Sequence, residues 1–329
     1  MLKSILRSPA ALLGEKQSPV PVRHHKALAD TTQHSHASSF HILSLFDGRK
    51  LEYTEFGDPE GTPLIYFHGI LHSREQFHPF STYPEKHGLR IIAPERPGFG
   101  KSCMQKQRSL RNYTNDILQL AQHLNLTKFY VLGDGDGAPA ALACANLLGN
   151  FVYKAAVVGC MPDPTFEHME NILPFDRKLM AMAKSTPKSI LNPFYRMILK
   201  AMRRNNNYYR LMFNEFCKAD QAIISTPEHE KLFQSGMDNL LKENVDGFLD
   251  DYFSRLSLWD FSVGSTQTVV DMWHGEEDCI SNINSAKAIA YALPRCNRHF
   301  LKGHGHYLFI SHIDAILQQL TLDKSITAK

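Results

Sequence analysis

The stretch YVLGDGDGAPAALACA, Tyr130 to Ala145, decides how the chain is folded. Just before the turn, Phe129 to Leu132 form a short apolar run with the aromatic and β-branched content of a buried strand. Glycine then alternates with aspartate through Gly133, Asp134, Gly135, Asp136 and Gly137, and an alanine-rich segment of high helix propensity follows. Strand, tight glycine turn and helix in so few residues mark the beginning of a parallel crossover, and therefore an α/β architecture.

Outward from that turn the same alternation continues. PLIYFHG (63–69), LRIIAPE (89–95), KFYVLG (128–133) and KAAVVGC (154–160) read as strands covered on both faces. Helical patterns lie between them, at roughly 73–87, 109–125 and 137–149. HILSLFDGRKLEYTEFG (41–57) reads as a hairpin around Asp47-Gly48. After Pro164 the rhythm changes: 165–262 carries amphipathic helical patterns without a convincing buried strand. Strand and helix resume with TVVDMWHG (268–275), a helix at 284–293, RHFLKG (298–303) and a helix at 307–321. The expected organisation is a mobile arm at 1–40, a core at 41–164 and 263–329, and a helical lid inserted at 165–262. No internal repeat is visible.

Composition sets limits on function. The chain has 329 residues, 43% hydrophobic and 21% charged, with a formal net charge of +3 that gives no argument for nucleic acid. Six cysteines without a CxxC spacing fit reduced thiols and a cytoplasmic setting. No apolar run approaches the roughly 20 residues of a membrane span. The arm is rich in Ser, Pro, Ala and His; its opening MLKSILRSPAALL also resembles an organellar presequence, with import the minor alternative. His24, His25, His34 and His36 suit a disordered tail better than a metal site, and no metal or cofactor is expected. In the lid, 177–214 holds nine Lys or Arg and no acid, interleaved with Met, Leu, Phe and Tyr. A solvated basic face is the simple reading, and an anionic surface, acidic partner or anionic ligand the sharper one.

Five motifs then fall in one order, each after an expected strand: YFHGI (66–70), ERPGFGKS (95–102), the glycine turn, WHGEED (273–278) and GHGHY (303–307). Together they resemble the lidded members of the α/β-hydrolase superfamily over roughly residues 41–321. The resemblance implies that Asp278 orients His306, the catalytic histidine, in preference to Glu276, Glu277 or His304. It implies oxyanion donors at the backbone of Ile70 and Asp136, beside the loop of His68 and Gly69. His68 is expected to shape that loop, and Arg96 and Gly98 to fix a turn. Asp136 also opens a helix, whose N-terminus favours negative charge.

The family turn reads G-x-S-x-G, and here Gly135 stands where the serine would be. Glycine cannot form an acyl intermediate. Neither Asp134 nor Asp136 has the small residue two positions earlier that a shifted register needs, and Cys103 and Cys144 are poor substitutes. Two readings follow. In one, the chain binds a small hydrophobic ester- or lactone-like ligand in an adaptable apolar pocket without turning it over. In the other, His306 and Asp278 act directly on water or on a substrate proton, in a slow hydrolase, a lyase or a cofactor-free oxygenase.

Overall fold

A computed structural model describes residues 40–70, 72–166, 177–178, 181–182, 186, 190–197, 213–231, 233–234, 236 and 245–322. All of them belong to one compact unit, Ser38–Lys329. The expected arm falls outside the described residues apart from Phe40, and so does most of the basic stretch 177–214.

Eight strands form one sheet among the described residues: β1 (Phe40–Ser44), β2 (Lys50–Gly57), β3 (Thr62–Phe67), β4 (Leu89–Pro94), β5 (Phe129–Asp134), β6 (Val152–Val158), β7 (Val270–Gly275) and β8 (Cys296–Leu301). Their order is β1-β2-β4-β3-β5-β6-β7-β8. The β1–β2 and β2–β4 pairs are antiparallel, and every later pair is parallel. The hairpin closes at Asp47-Gly48, where Gly48 takes φ +83 and Asp47 accepts the Arg49 N–H at 3.0 Å. β5 is buried along its whole length, which explains a run of apolar and small residues without alternation.

Helices cover both faces. α2 (Leu110–His123), α3 (Ala138–Leu147) and α6 (Ile283–Ala292) pack on one side through Ile117, Leu120, Leu142 and Ile289. α7 (Leu308–Thr321) packs on the other, with Phe309, Ile313 and Leu317 against Leu64, Tyr66 and Leu132. Ser109 caps α2, its hydroxyl accepting the Asn112 N–H at 3.1 Å. The helix expected at 73–87 is divided into a 3₁₀ turn, Arg74–Phe80, and a short α1, Thr82–Lys86. Pro79 and Pro84 have no N–H to continue one helical ladder through this segment.

Between β6 and β7 the described residues are helical at 190–197, in α4 (Lys218–Ile224) and in α5 (Val245–Ser254). Leu191 and Tyr195 pack against Leu249 and Phe253. The chain re-enters the sheet through Trp259, whose ring stacks on Phe261 at 5.3 Å and whose backbone N–H donates to Asp163 Oδ2 at 3.1 Å.

The neighbours of β3 in the sheet are β4 and β5, so the connections leave in opposite directions there and open a crevice at their C-terminal ends. α3 is pressed into that crevice. A methyl group on Gly137 would lie on the carbonyl oxygen of Phe67 and 2.8 Å from that of His68. Gly137→Ala is therefore expected to cost at least about 3 kcal/mol of unfolding free energy in a denaturant titration. A cost below about 1 kcal/mol would mean that α3 is free to shift.

Candidate active site

The crevice places the residues of the glycine turn opposite the loop after β8. Gly135 takes φ +54, a left-handed backbone conformation that costs other residues about 1–2 kcal/mol. A Cβ built on it would lie 3.2 Å from His306 Nε2, 3.8 Å from Cε1 and 4.0 Å from the Gly69 Cα. A side chain here would thus meet an imidazole rather than a backbone wall.

His306 is held from several directions. Its Nδ1 bonds Asp278 Oδ2 at 2.8 Å. The other oxygen of Asp278 accepts the N–H groups of Ile280 and Ser281, each at 2.8 Å. His274 lies 3.3 Å from the shared Oδ2 and donates Nε2–H to the Ser281 carbonyl at 2.8 Å. Behind the ring, Asp220 of α4 accepts the N–H of His306 on Oδ2 and that of Tyr307 on Oδ1, both at 2.9 Å. His304 is turned away: its Nδ1 reaches the Lys302 carbonyl and its ring packs on His312. Of the two histidines, His306 meets the acid.

Charge in the site runs one way. Burial alone would lower the His306 pKa, but the Asp278 charge and hydrogen bond, aided by Asp134 and Asp220, raise it to about 10. Burial would raise Asp278, and the imidazolium overcomes this and holds it low. The pair thus favours an imidazolium on a carboxylate over two neutral groups. Burial lifts Asp134 to about 6, where Gln76 Nε2 donates to it at 3.0 Å.

The oxyanion region departs from the expected pattern. Two open backbone donors were expected, at Ile70 and Asp136. Instead the Ile70 N–H points at the side chain of Asp136, 3.4 Å from Oδ2. That carboxylate is gripped by Arg255, with Nε on Oδ1 at 2.5 Å and Nη2 on Oδ2 at 2.9 Å. Burial opposes its charge, but Arg255 keeps it ionised and its pKa low. A fixed anion thus stands beside the Ile70 N–H, one of the two donors that the resemblance implied.

The remaining residues frame the site. His68 is fully buried between Glu95, at 3.1 Å from Nε2, and the carbonyl of Gly69, at 2.9 Å from Nδ1. Arg96 donates to the His68 carbonyl at 3.1 Å and pairs with Asp251, so it ties the loop to α5. Cys144 is buried against Thr114, and Cys103 accepts the Lys50 N–H at 3.3 Å; neither is bonded to His306. Beside Asp136 lies a cavity of about 140 Å³ with Arg96, Arg108 and Arg255 among its walls, together with Tyr113, Met161 and Trp259. Its lining mixes these guanidinium groups with apolar side chains. Among the described residues no cluster of His, Cys, Asp and Glu is placed to hold a metal ion, and no helix is long and apolar enough to cross a membrane.

Asp220, Arg255, His274 and Gln76 were not singled out from the sequence. Asp220 and Arg255 come from the helical insert, where nothing in the local sequence marks them. His274 is the exception, since it stands inside the WHGEED motif four residues before Asp278.

The profile of the family described as the alpha/beta hydrolase fold matches residues 62–313. An uncharacterized hydrolase of Bacillus subtilis, YcgS, is 31% identical over 101 residues, covering 31% of this chain and 34% of that protein. The sn-1-specific diacylglycerol lipase ABHD11 of Danio rerio is 27% identical over 120 residues, 36% of this chain and 38% of that protein. The matched regions thus span about a third of these curated relatives. Among solved structures, MGS-M2, an alpha/beta hydrolase enzyme from a deep-sea metagenome library, superposes with a TM-score of 0.66 at 12% identity, over 88% of this chain and 98% of that one.

The charge balance has a direct consequence. The His306 pKa is raised on folding, so its contribution to stability is complete below about 6.5 and is lost as pH rises toward about 10. Imidazole NMR resonances of His306 are expected to titrate near pH 10, and Asp278→Asn is expected to bring the midpoint down. A wild-type midpoint near 6.5 would contradict this balance.

Proposed function

From the premise that the chain belongs to the alpha/beta hydrolase family, we propose that it binds an ester- or lactone-like small molecule without forming an acyl-enzyme. One observation carries the reading: glycine faces His306 Nε2 at position 135, and the neighbouring Asp136 carboxylate takes the Ile70 N–H.

Acyl transfer by this fold needs a nucleophile, a base for its proton and donors for the oxyanion. Gly135 supplies no nucleophile. The charges around His306 strengthen its hold on its proton and so weaken it as a base. Asp136, ionised by Arg255, repels the oxyanion, and a buried site strengthens that repulsion. What is left suits binding: the Nε2–H of an imidazolium is a strong donor to a ligand's neutral carbonyl oxygen. The helical insert at 165–262 would serve as a lid, since Asp220 reaches the loop of His306 and Arg255 reaches Asp136 in the turn. Relatives named as a lipase and as an esterase/perhydrolase make acyl compounds the first ligands to try.

The intact bond between His306 and Asp278 favours a second reading, proton transfer by this pair without a covalent intermediate. It differs in its pH dependence. Because the base form appears only as the imidazolium loses its proton, turnover on this route would climb toward about pH 10 and vanish in His306→Ala.

The test is hydrolysis of p-nitrophenyl butyrate by the wild type, with ligand binding followed separately by NMR. Binding with turnover barely above buffer is expected. Turnover with a burst of p-nitrophenol would overturn the proposal, because it reports an acyl-enzyme. Gly135→Ser alone is expected to gain little, while Gly135→Ser with Asp136→Asn should gain at least about tenfold, as nucleophile and neutralised hole are restored together. Equal rates for the single and double variants would remove Asp136 from the explanation.

A further inference from the structure

The loop after Gly69 carries a second imidazole to the crevice, that of His72. Its backbone N–H donates to the Gly69 carbonyl at 3.1 Å, so a tight turn folds residue 72 back over the glycine. The ring follows the turn: a Cβ built on Gly69 would lie 3.5 Å from His72 Cδ2. The Cβ built on Gly135 lies 4.0 Å from the Gly69 Cα and 3.2 Å from His306 Nε2. His72 and His306 therefore flank one pair of glycines. Phe233, from the helical insert, meets both sides: its ring is edge-on to His72 at 6.4 Å and to Tyr307, the neighbour of His306, at 6.1 Å.

The other imidazoles of the crevice are tied to the protein. Both nitrogens of His68 are bonded, and Nδ1 of His306 is held by Asp278. Among the described residues, neither ring nitrogen of His72 has a hydrogen-bond partner.

We propose that His72 is a ligand-recognising residue, whose ring receives a hydroxyl or amide hydrogen of the molecule that places its carbonyl oxygen at His306 Nε2. This role rests on the binding reading above. It narrows the ligand to carbonyl compounds with a hydrogen-bond donor beside the carbonyl, such as hydroxy-lactones and hydroxy-esters.

The two rings differ in what they offer. The carboxylates around His306 hold its proton in place, so its Nε2–H is a donor. His72 is the opposite case. Burial lowers its pKa, and His68 and His306 lower it further against the pull of Asp136, so that it falls to about 3. A neutral imidazole keeps one nitrogen as a donor and the other as an acceptor. An unsubstituted ester or lactone brings only acceptors, so the acceptor nitrogen of His72 would be covered without a hydrogen to receive. A hydroxyl beside the ligand's carbonyl supplies that hydrogen.

The test compares γ-butyrolactone with α-hydroxy-γ-butyrolactone, which differ by one hydroxyl, on the full chain by imidazole NMR. Wild-type protein is expected to bind the hydroxylactone at least about tenfold more tightly, with shifts in the resonances of both His72 and His306. His72→Phe keeps a ring against Phe233 and is expected to abolish that preference, while binding γ-butyrolactone within about twofold of wild type. His72→Asn keeps an acceptor oxygen and should retain part of the preference. No preference in the wild type, or one that persists in His72→Phe, would overturn the role of His72; binding of p-nitrophenyl butyrate would then leave the wider binding reading standing. Absence of binding by all three compounds would overturn that reading as well. Should His72→Phe fail to fold, the wild type decides alone: a hydroxylactone that moves His306 but not His72 would overturn the role.

Discussion

The close approach at the start of α3 is the constraint on which the site depends. Because Gly137 has no Cβ, the start of the helix can lie directly against the Phe67 carbonyl at the end of β3. The chain between β5 and α3 has three residues in which to reverse, and it does so through φ +54 at position 135. That geometry aims the α-carbon of residue 135 at His306 whatever side chain it carries. The turn has kept the shape of a nucleophile-bearing corner, and glycine relieves the strain that a serine would impose.

Around the imidazole the carboxylates outnumber the cations. Asp278 is bonded to the ring and Asp220 to the main chain behind it. Asp134 adds to the field, and burial penalises its charge enough to lift it to about 6. Asp136 is bound by Arg255, which sits just beyond α5. The result favours keeping a proton on His306 over accepting one. A serine hydrolase needs the reverse: a neutral imidazole poised to take the hydroxyl proton, with empty donors for the charge that follows. Under the proposed reading, two neighbouring residues, 135 and 136, would oppose acyl transfer by different physical routes: glycine brings no hydroxyl to the imidazole, and the Asp136 carboxylate takes the Ile70 N–H.

Much of this was legible from the residues. The uninterrupted apolar runs of β3, β4, β5 and β6 announced a parallel sheet covered on both faces, and the family resemblance implied the pairing of His306 with Asp278, whose side chains meet at 2.8 Å. The helix expected at 73–87 broke because Pro79 and Pro84 interrupt the ladder, a signal that was present but outweighed by periodicity. The hidden part lay in contacts across the insert. Asp220 reaches the site from α4 and Arg255 from just beyond α5, and their local sequence states nothing about partners that stand tens of residues away. The side chain of Asp136 was hidden for another reason. The resemblance assigned this position a backbone role, and a backbone role is silent about what the side chain does.

Active-site labelling tests the central claim most directly. A fluorophosphonate reacts covalently with an activated serine of this fold, and mass spectrometry of the intact chain counts the adducts. Wild-type protein is expected to remain unlabelled, because position 135 offers no oxygen to the imidazole. A stoichiometric adduct on the wild type, mapped to any residue beside His306, would contradict the claim and show a nucleophile supplied from elsewhere in the crevice.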